Sequence, residues 1–381
     1  MYENWDSAMY ENEFPLDPDV LHLNHAAVGP WPRRAVEAVT AFARQNMHQG
    51  SVAYERWLEA EHDLRGQLRT LINARSTDEI ALLKSTSEAL SVVAHGLDWQ
   101  DGDNVVISDQ EFPSNRIVWE SLQPRGVGVH TARLGTFDAP EEALFACVDQ
   151  RTRLISVSSV QYGTGLRLDL ERIGRFCHQH ELLFCVDGIQ SIGALPMDVQ
   201  KIHADFVMAD GHKWMLGPEG LALFYCRDSV RDRLQLHQYG WHMVEHCGDF
   251  DRQDWQVAGS ARRFECGSPN MLGVHALRAS LSLIGEIGME RVSHELLKNA
   301  SYLADFILTH EDRFELLSPR EPERRAGIVT FRPRNRPAAE LYGALRDQGV
   351  LCALRGGGVR FSPHFYTPRS RLERATELLS D

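Results

Sequence analysis

The sequence predicts an α/β protein built on a largely parallel sheet with helices covering both faces. Short apolar runs without polar alternation recur between about Glu79 and Arg227, and helical patterns separate them. Strands that are apolar on both sides must be covered on both sides, which parallel strands joined by helical crossovers achieve. Two of these runs end in polar, glycine-containing clusters, and ligands bind beyond the carboxyl ends of such strands.

Taken in order, Glu79–Leu83, Asn104–Ser108, Leu154–Val160, Leu182–Val186 and Phe206–Ala209 read as strands. Thr86–Leu97, Ser114–Leu122, Pro140–Val148 and Leu170–His180 read as the helices between them. Pro218–Gly220 marks a turn before one more strand, Leu221–Cys226. After about Ala258 the pattern changes to two long helices, Leu272–Ile287 and Met289–His310. Strands at Gly327–Arg332 and Gly349–Leu354 and a last helix at Arg369–Leu379 follow. A chain of 381 residues exceeds what one core usually spans. The expected division is an N-terminal segment with a large domain, residues 1–258, and a small C-terminal α/β domain, residues 259–381.

Composition bounds the function. The net charge of -13 argues against a general nucleic-acid or anionic-membrane binder, although local arginines and amides still bind small anions. Seven cysteines are dispersed without a C-x-x-C pair, which fits a reducing cytoplasm rather than a disulfide framework. Met1–Phe14 is acidic and aromatic, unlike a signal peptide. No apolar run approaches the roughly 18 residues of a membrane span. The expectation is a cytoplasmic protein acting on a small molecule, with no nucleic-acid or membrane partner and no metal.

The chemistry gathers at the two strand ends. Phe184-Cys185-Val186 runs into Asp187-Gly188-Ile189-Gln190, and Phe206-Val207-Met208-Ala209 into Asp210-Gly211-His212-Lys213. Pyridoxal 5′-phosphate (PLP) needs such a set: a lysine to hold its aldehyde as a Schiff base, and a carboxylate to keep its ring nitrogen protonated. A buried pyridinium without a carboxylate would lose its proton and cease to accept electrons. Lys213 and Asp187 answer these needs, and Gln190 can turn its amide to the ring's phenolic oxygen. Thr86 and Ser87 open an apolar helix whose amides and dipole suit a phosphate. Each has a plainer reading, as surface lysine, helix cap or polar first-turn residue. The combination favours the cofactor.

Asp187 to Pro196, Asp205-Phe206 and Gly211-His212-Lys213-Trp214-Met215-Leu216-Gly217-Pro218-Glu219-Gly220 resemble the class V aminotransferase family. So do Leu23-Asn24-His25-Ala26-Ala27, Ser87-Glu88-Ala89, Glu111-Phe112-Pro113-Ser114-Asn115, Arg263 to Ser268 and Val359-Arg360-Phe361-Ser362. That family includes cysteine desulfurases, selenocysteine lyases, kynureninase and isopenicillin-N epimerase-like proteins. The resemblance implies the fold type I PLP-dependent transferase architecture, with a mainly parallel seven-stranded sheet flanked by helices. It places Phe112 on the face of the cofactor ring, and Thr86, Ser87, His212 and Ser268 on the phosphate. Ser268 would come from the partner subunit, which implies a homodimer with shared active sites. Gln161 falls near an asparagine that faces cofactor oxygen and substrate carboxylate. Arg360 matches the arginine that pairs with the α-carboxylate, with Arg355 a second candidate; Asn24 and Ala27 would line the substrate pocket.

Two departures from the family pattern matter. Asp210 stands where many relatives have a phosphate-binding serine, so its carboxylate is expected to turn away, toward His212 or an arginine. Cysteine desulfurases of the family carry a nucleophilic cysteine on a mobile loop shortly before the carboxylate-binding arginine. Arg355-Gly356-Gly357-Gly358-Val359-Arg360 contains none, and Cys352 lies in an apolar run. The expected activity is PLP-dependent chemistry at Cα or Cβ of an amino acid through Lys213, as an aminotransferase or a C–S/β-lyase, with an epimerase as the alternative. Two readings compete from other classes. His242-Met243-Val244-Glu245-His246 fits the H-x-x-E-H spacing of a zinc hydrolase, although glycines at 240 and 248 leave little room for its helix. A non-catalytic relative is the other, and the full lysine, carboxylate and phosphate set argues against it.

Overall fold

The computed structural model describes residues 10–380; residues 1–9, which hold most of the stretch inspected for a signal peptide, and Asp381 lie outside it. The first part of the chain carries β1 (Leu21–His22), α1 (Arg33–Gln49), α2 (Tyr54–Leu71), β2 (Ile80–Leu83), α3 (Thr86–Gly96), β3 (Asn104–Ser108) and α4 (Ser114–Glu120). Then come β4 (Gly128–Ala132), α5 (Pro140–Ala146), β5 (Thr152–Ser158), α6 (Leu170–Gln179), β6 (Leu183–Asp187), β7 (Phe206–Asp210), β8 (Ala222–Cys226) and α7 (Asp228–Arg231). The last part holds α8 (Met271–Ile287), α9 (Met289–Thr309), β9 (Phe314–Leu316), β10 (Val329–Pro333), α10 (Ala338–Asp347), β11 (Val350–Leu351), β12 (Ala353–Arg355), β13 (Gly358–Phe361) and α11 (Arg369–Ser380).

Seven strands form the central sheet in the order β2-β8-β7-β6-β5-β3-β4, and β8 alone in it runs antiparallel to its neighbours. The mainly parallel seven-stranded expectation holds. Alternate residues along each inner strand feed opposite cores. Phe184, Val186, Val207 and Ala209 enter one core, and Leu183, Cys185, Phe206 and Met208 the other. Each large apolar side chain buried this way contributes on the order of 1.5–3 kcal/mol. The non-alternating runs of the sequence therefore mark a sheet sandwiched between two apolar layers.

A four-stranded antiparallel sheet, β12-β13-β10-β9, stands apart and has its own core under α9, α10 and α11. The strand expected over Gly349–Leu354 divides at Cys352. Its first half, β11, pairs in parallel with β1, and its second half, β12, pairs with β13. Leu21 and Leu23 thus enter the small core, so the β1 segment belongs in space with the C-terminal elements. The long helix α8 packs on α1 and α2 and contributes Val274, Leu277 and Leu281 to the large core. Among the described residues no helix is long and apolar enough to cross a membrane.

Candidate active site

Asp187 ends β6, and Lys213 lies on the turn that follows β7. Both strands are central and run parallel, with Asp187 paired to Met208, so the two residues emerge at the same edge of the sheet. Asp187 is wholly buried, and its carboxylate accepts one hydrogen bond, from the Ile189 N–H at 3.0 Å. Burial pushes its pKa up to about 7, against the Ile189 bond and with a smaller push from Glu111. Burial likewise draws the Lys213 ammonium down to about 8, while Asp187 opposes it. The Lys213 amine has no hydrogen-bond or ion-pair partner among the described residues; its Nζ stands 5.6 Å from the centre of the Phe112 ring. A buried carboxylate with no cation bonded to it and an amine with no hydrogen-bond partner fit a ring nitrogen to hold protonated and an aldehyde to condense with.

At the first turn of α3, Ser85 caps the helix by accepting the Glu88 N–H. Thr86 is buried, and its N–H donates to Asp210 Oδ2 at 3.2 Å while its hydroxyl accepts the Asp210 N–H at 3.0 Å. The Ser87 hydroxyl donates to that of Ser114 at 2.8 Å. His212 Nδ1 lies 3.5 Å from Asp210 Oδ1, and neither atom has a hydrogen-bond partner. Asp210 therefore does face His212, but it does not turn away from the helix as expected. Its second oxygen stays on the Thr86 amide because exposed amides and a positive dipole end attract a carboxylate.

Glu111 braces the opposite wall. It accepts from the hydroxyls of Ser108 and Ser158, the Ser158 N–H and the Asn115 amide, at 2.6 to 3.1 Å. Sequence reasoning passed over Glu111 as a functional residue, although its place beside Phe112 and one helical turn before Asn115 was visible. Gln161 is buried next to it, donates to the Ser158 carbonyl at 3.2 Å, and leaves Oε1 without a partner. Phe112 meets Tyr162 edge to face at 5.2 Å and is 40% exposed.

Arg360, on β13, is buried and donates from Nη1 to the Tyr162 carbonyl at 2.8 Å, while its Nε has no partner. Burial, then the nearby Arg355 charge, lowers its pKa to about 10. Arg355 is exposed and donates only to its own neighbour's carbonyl. Asn24 bridges to Ser362 and leaves Oδ1 buried without a partner; Ala27 lies on the same turn. Gln190 is committed to the protein at both ends of its amide: Nε2 donates to Ala26 and Oε1 accepts from Trp214, each at 3.0 Å. One N–H remains for another acceptor. Ser268 is exposed and has no hydrogen-bond partner among the described residues.

Unmatched atoms thus collect here: Asn24 Oδ1, Gln161 Oε1, Asp210 Oδ1, His212 Nδ1 and Arg360 Nε are all buried without partners. Buried polar atoms are rarely left so, and a polar ligand with an anionic end would engage them. A wide groove of about 1740 Å³ between α2, α8 and the 191–202 segment contains none of these residues.

The zinc-hydrolase alternative fails on geometry. His242 sits on a single 3-10 turn, Trp241–Met243, and Glu245 and His246 lie beyond it, so no helix aligns the two imidazoles. Glu245 instead accepts the Gly259 N–H. His242 does approach Glu61 and Glu265, whose oxygens lie within 4.8 Å of its ring nitrogens. However, the Arg65 guanidinium already bridges those two carboxylates.

The defining pattern of the aminotransferase class-V family matches residues 21–365. A probable cysteine desulfurase of Methanothermobacter thermautotrophicus is 30% identical, over 97% of this chain and 96% of the relative. An uncharacterized aminotransferase of Bacillus subtilis, YcbU, is 29% identical over 84% of this chain and 83% of its own. Among solved structures, the apo cysteine desulfurase of Thermococcus onnurineus superposes with a TM-score of 0.87 at 23% identity, covering 100% of this chain and 98% of that one. The cystine C–S lyase C-DES, solved with its reaction product cysteine persulfide, gives 0.89 at 23% identity, over 97% and 99%. The chain belongs to the aminotransferase class-V family of PLP-dependent enzymes.

Proposed function

We propose that the enzyme is a β-lyase that cleaves a carbon–sulfur bond at Cβ of an amino acid and releases the sulfur without passing it to a cysteine of its own. One observation carries this reading. Where desulfurases of the family are expected to hold a cysteine on a mobile loop, β12 and β13 are joined by Gly356 and Gly357 alone, with φ of 58° and 80°. A side chain on Gly356 would meet the Gly163 carbonyl at 2.3 Å. Cys352, the nearest cysteine in sequence, is buried, and burial pushes its thiol up to about 12, so little thiolate would form. Desulfurase and C–S lyase relatives favour chemistry at sulfur over the epimerase alternative.

When bound, the cofactor offers Lys213 an aldehyde and draws electrons from the substrate's Cα into its protonated ring. Asp187 would keep that ring nitrogen protonated. Thr86, Ser87, His212 and Ser268 would hold the phosphate, Phe112 would cover the ring, and Gln190 would offer its free N–H. The unpartnered Nε of Arg360, with Nη1 fixed by Tyr162, suits a carboxylate, and Gln161 and Asn24 would flank it. Arg355 and Ala27 would lie at the entrance. The Lys213 amine, lowered toward neutral pH by burial, would take the Cα proton as general base. Two copies would assemble so that each Ser268 serves the other's site. Exposed Tyr239, Phe250 and Trp255, at 65%, 75% and 59%, favour a partner in this region, since His242 and Gly240 pack on Cys266.

The test is product analysis with cysteine and cystine. Pyruvate and ammonium should appear, with the sulfur in solution as sulfide or a small-molecule persulfide. Alanine as the product, with a persulfide on the protein, would reject the proposal. So would loss of turnover in a variant lacking all seven cysteines.

A further inference from the structure

We infer that Asp210 is a built-in competitor for the phosphate end of the cofactor, and that this chain consequently holds phosphorylated ligands more weakly than a serine in its place would allow. The inference rests on the phosphate reading of the α3 terminus. Three features carry it beyond that reading.

Asp210 is locked onto the helix by a reciprocal pair of bonds, its Oδ2 accepting the Thr86 N–H and its own N–H reaching the Thr86 hydroxyl. The carboxylate is therefore an anion already seated at an anion site, on an amide that a phosphate oxygen would otherwise use. The seat is sheltered, with Asp210 only 9% exposed, so solvent screens little of its repulsion toward a second anion.

The pairing is also incomplete. Asp210 Oδ1 and His212 Nδ1 face each other at 3.5 Å, longer than a hydrogen bond, and both lack other partners. No hydrogen bond from His212 therefore offsets the free oxygen, which faces the phosphate seat uncompensated. One carboxylate oxygen thus meets the helix while the other faces the histidine. A phosphate oxygen reaches that amide only by displacing the carboxylate. Asp210 would then tune how readily the cofactor is gained and lost, while Lys213 keeps its own role.

Titration of the purified protein with pyridoxine 5′-phosphate and with pyridoxine tests this, because neither ligand has an aldehyde for Lys213. Relative to the wild type, Asp210→Ser and Asp210→Asn should bind the phosphate ester about ten-fold more tightly or better, since a like charge is removed from the site. Pyridoxine affinity should be equal in all three proteins. Unchanged or weaker binding of the ester in both variants would overturn the inference, as would an equal gain for pyridoxine. Borohydride reduction after PLP loading separates the two levels. Label on Lys213 with unaltered ester affinity refutes only the role of Asp210. Absence of label in every protein refutes the cofactor site and the inference with it.

Discussion

Arg65 grips Glu265 through two parallel hydrogen bonds of 2.7 Å, with both side chains buried. The same guanidinium binds Glu61 on its own helix, and Glu265 also accepts the Leu82 N–H at 2.8 Å. The pair therefore fastens α2, β2 and the segment leading to Ser268. Removing the cation leaves two buried carboxylates uncompensated. Arg65→Met should cost roughly 3–5 kcal/mol in denaturant unfolding, and Arg65→Met combined with Glu265→Leu should recover part of it.

Asp187 and Lys213 give cofactor-free protein an uncommon dependence on pH. The Asp187 carboxyl is raised from 3.8 to about 7 by burial, so the stability it contributes is complete below 3.8 and is lost as pH rises through 7. Lys213 is lowered from 10.5 to about 8 by burial, so its contribution is complete above 10.5 and is lost as pH falls through 8. Their joint contribution has its minimum between about 7 and 8. In thermal unfolding of the apo protein, the difference curve against Asp187→Asn should fall from about pH 4 to 7 and that against Lys213→Met should rise from about pH 8 to 10.5, the two summing to that trough. A difference curve that rises steadily from acid to pH 7 would contradict the Asp187 assignment.

Lys213→Ala should retain the fold, because its amine bonds to no described group. Turnover should fall by about 10²–10⁴ or more, as expected for loss of a general base. Circular dichroism should be unchanged, and reduction with borohydride should leave no cofactor on the chain.

The glycine turn predicts a kinetic signature. Gly356→Ala places a side chain at a φ of 58° and 2.3 Å from the Gly163 carbonyl. The backbone penalty is roughly 1–2 kcal/mol, and Gly163 must shift. Tyr162 precedes it and anchors Arg360, so KM for the amino acid should rise more than kcat falls. The reverse order would detach Arg360 from substrate binding.

The central sheet was legible because its strands announce themselves: Asn104–Ser108 is apolar along its middle and bounded as expected. Strand β4 was not, because Gly128–Ala132 lies at the sheet edge, half exposed, with a polar His130 and Thr131 in its run. Helix α2 shows Trp57, Ala60, Leu64 and Leu68 at helical spacing, a stripe that could have identified it. Helix α1 buries only Ala35, so it offers no such stripe. The division at Cys352 depends on a partner some 330 residues away, and local pattern holds no trace of that. At the site, residue types and strand ends pointed to Lys213 and Asp187. The seat of Asp210 was hidden, because it depends on its bonds to Thr86, 124 residues away in sequence.

The pairing of β1 with β11 has a mechanical consequence. Seven residues after His22, the Gly29 N–H donates to the His212 carbonyl at 2.8 Å, and the glycine lies so close that a methyl group there would fall 2.6 Å from the Lys213 carbonyl. One short stretch of chain is thus fastened at one end to β11 and at the other to the backbone that carries the lysine. Any displacement of β11 relative to the large sheet would tug on that backbone, so β11 and the reactive amine share a single tether.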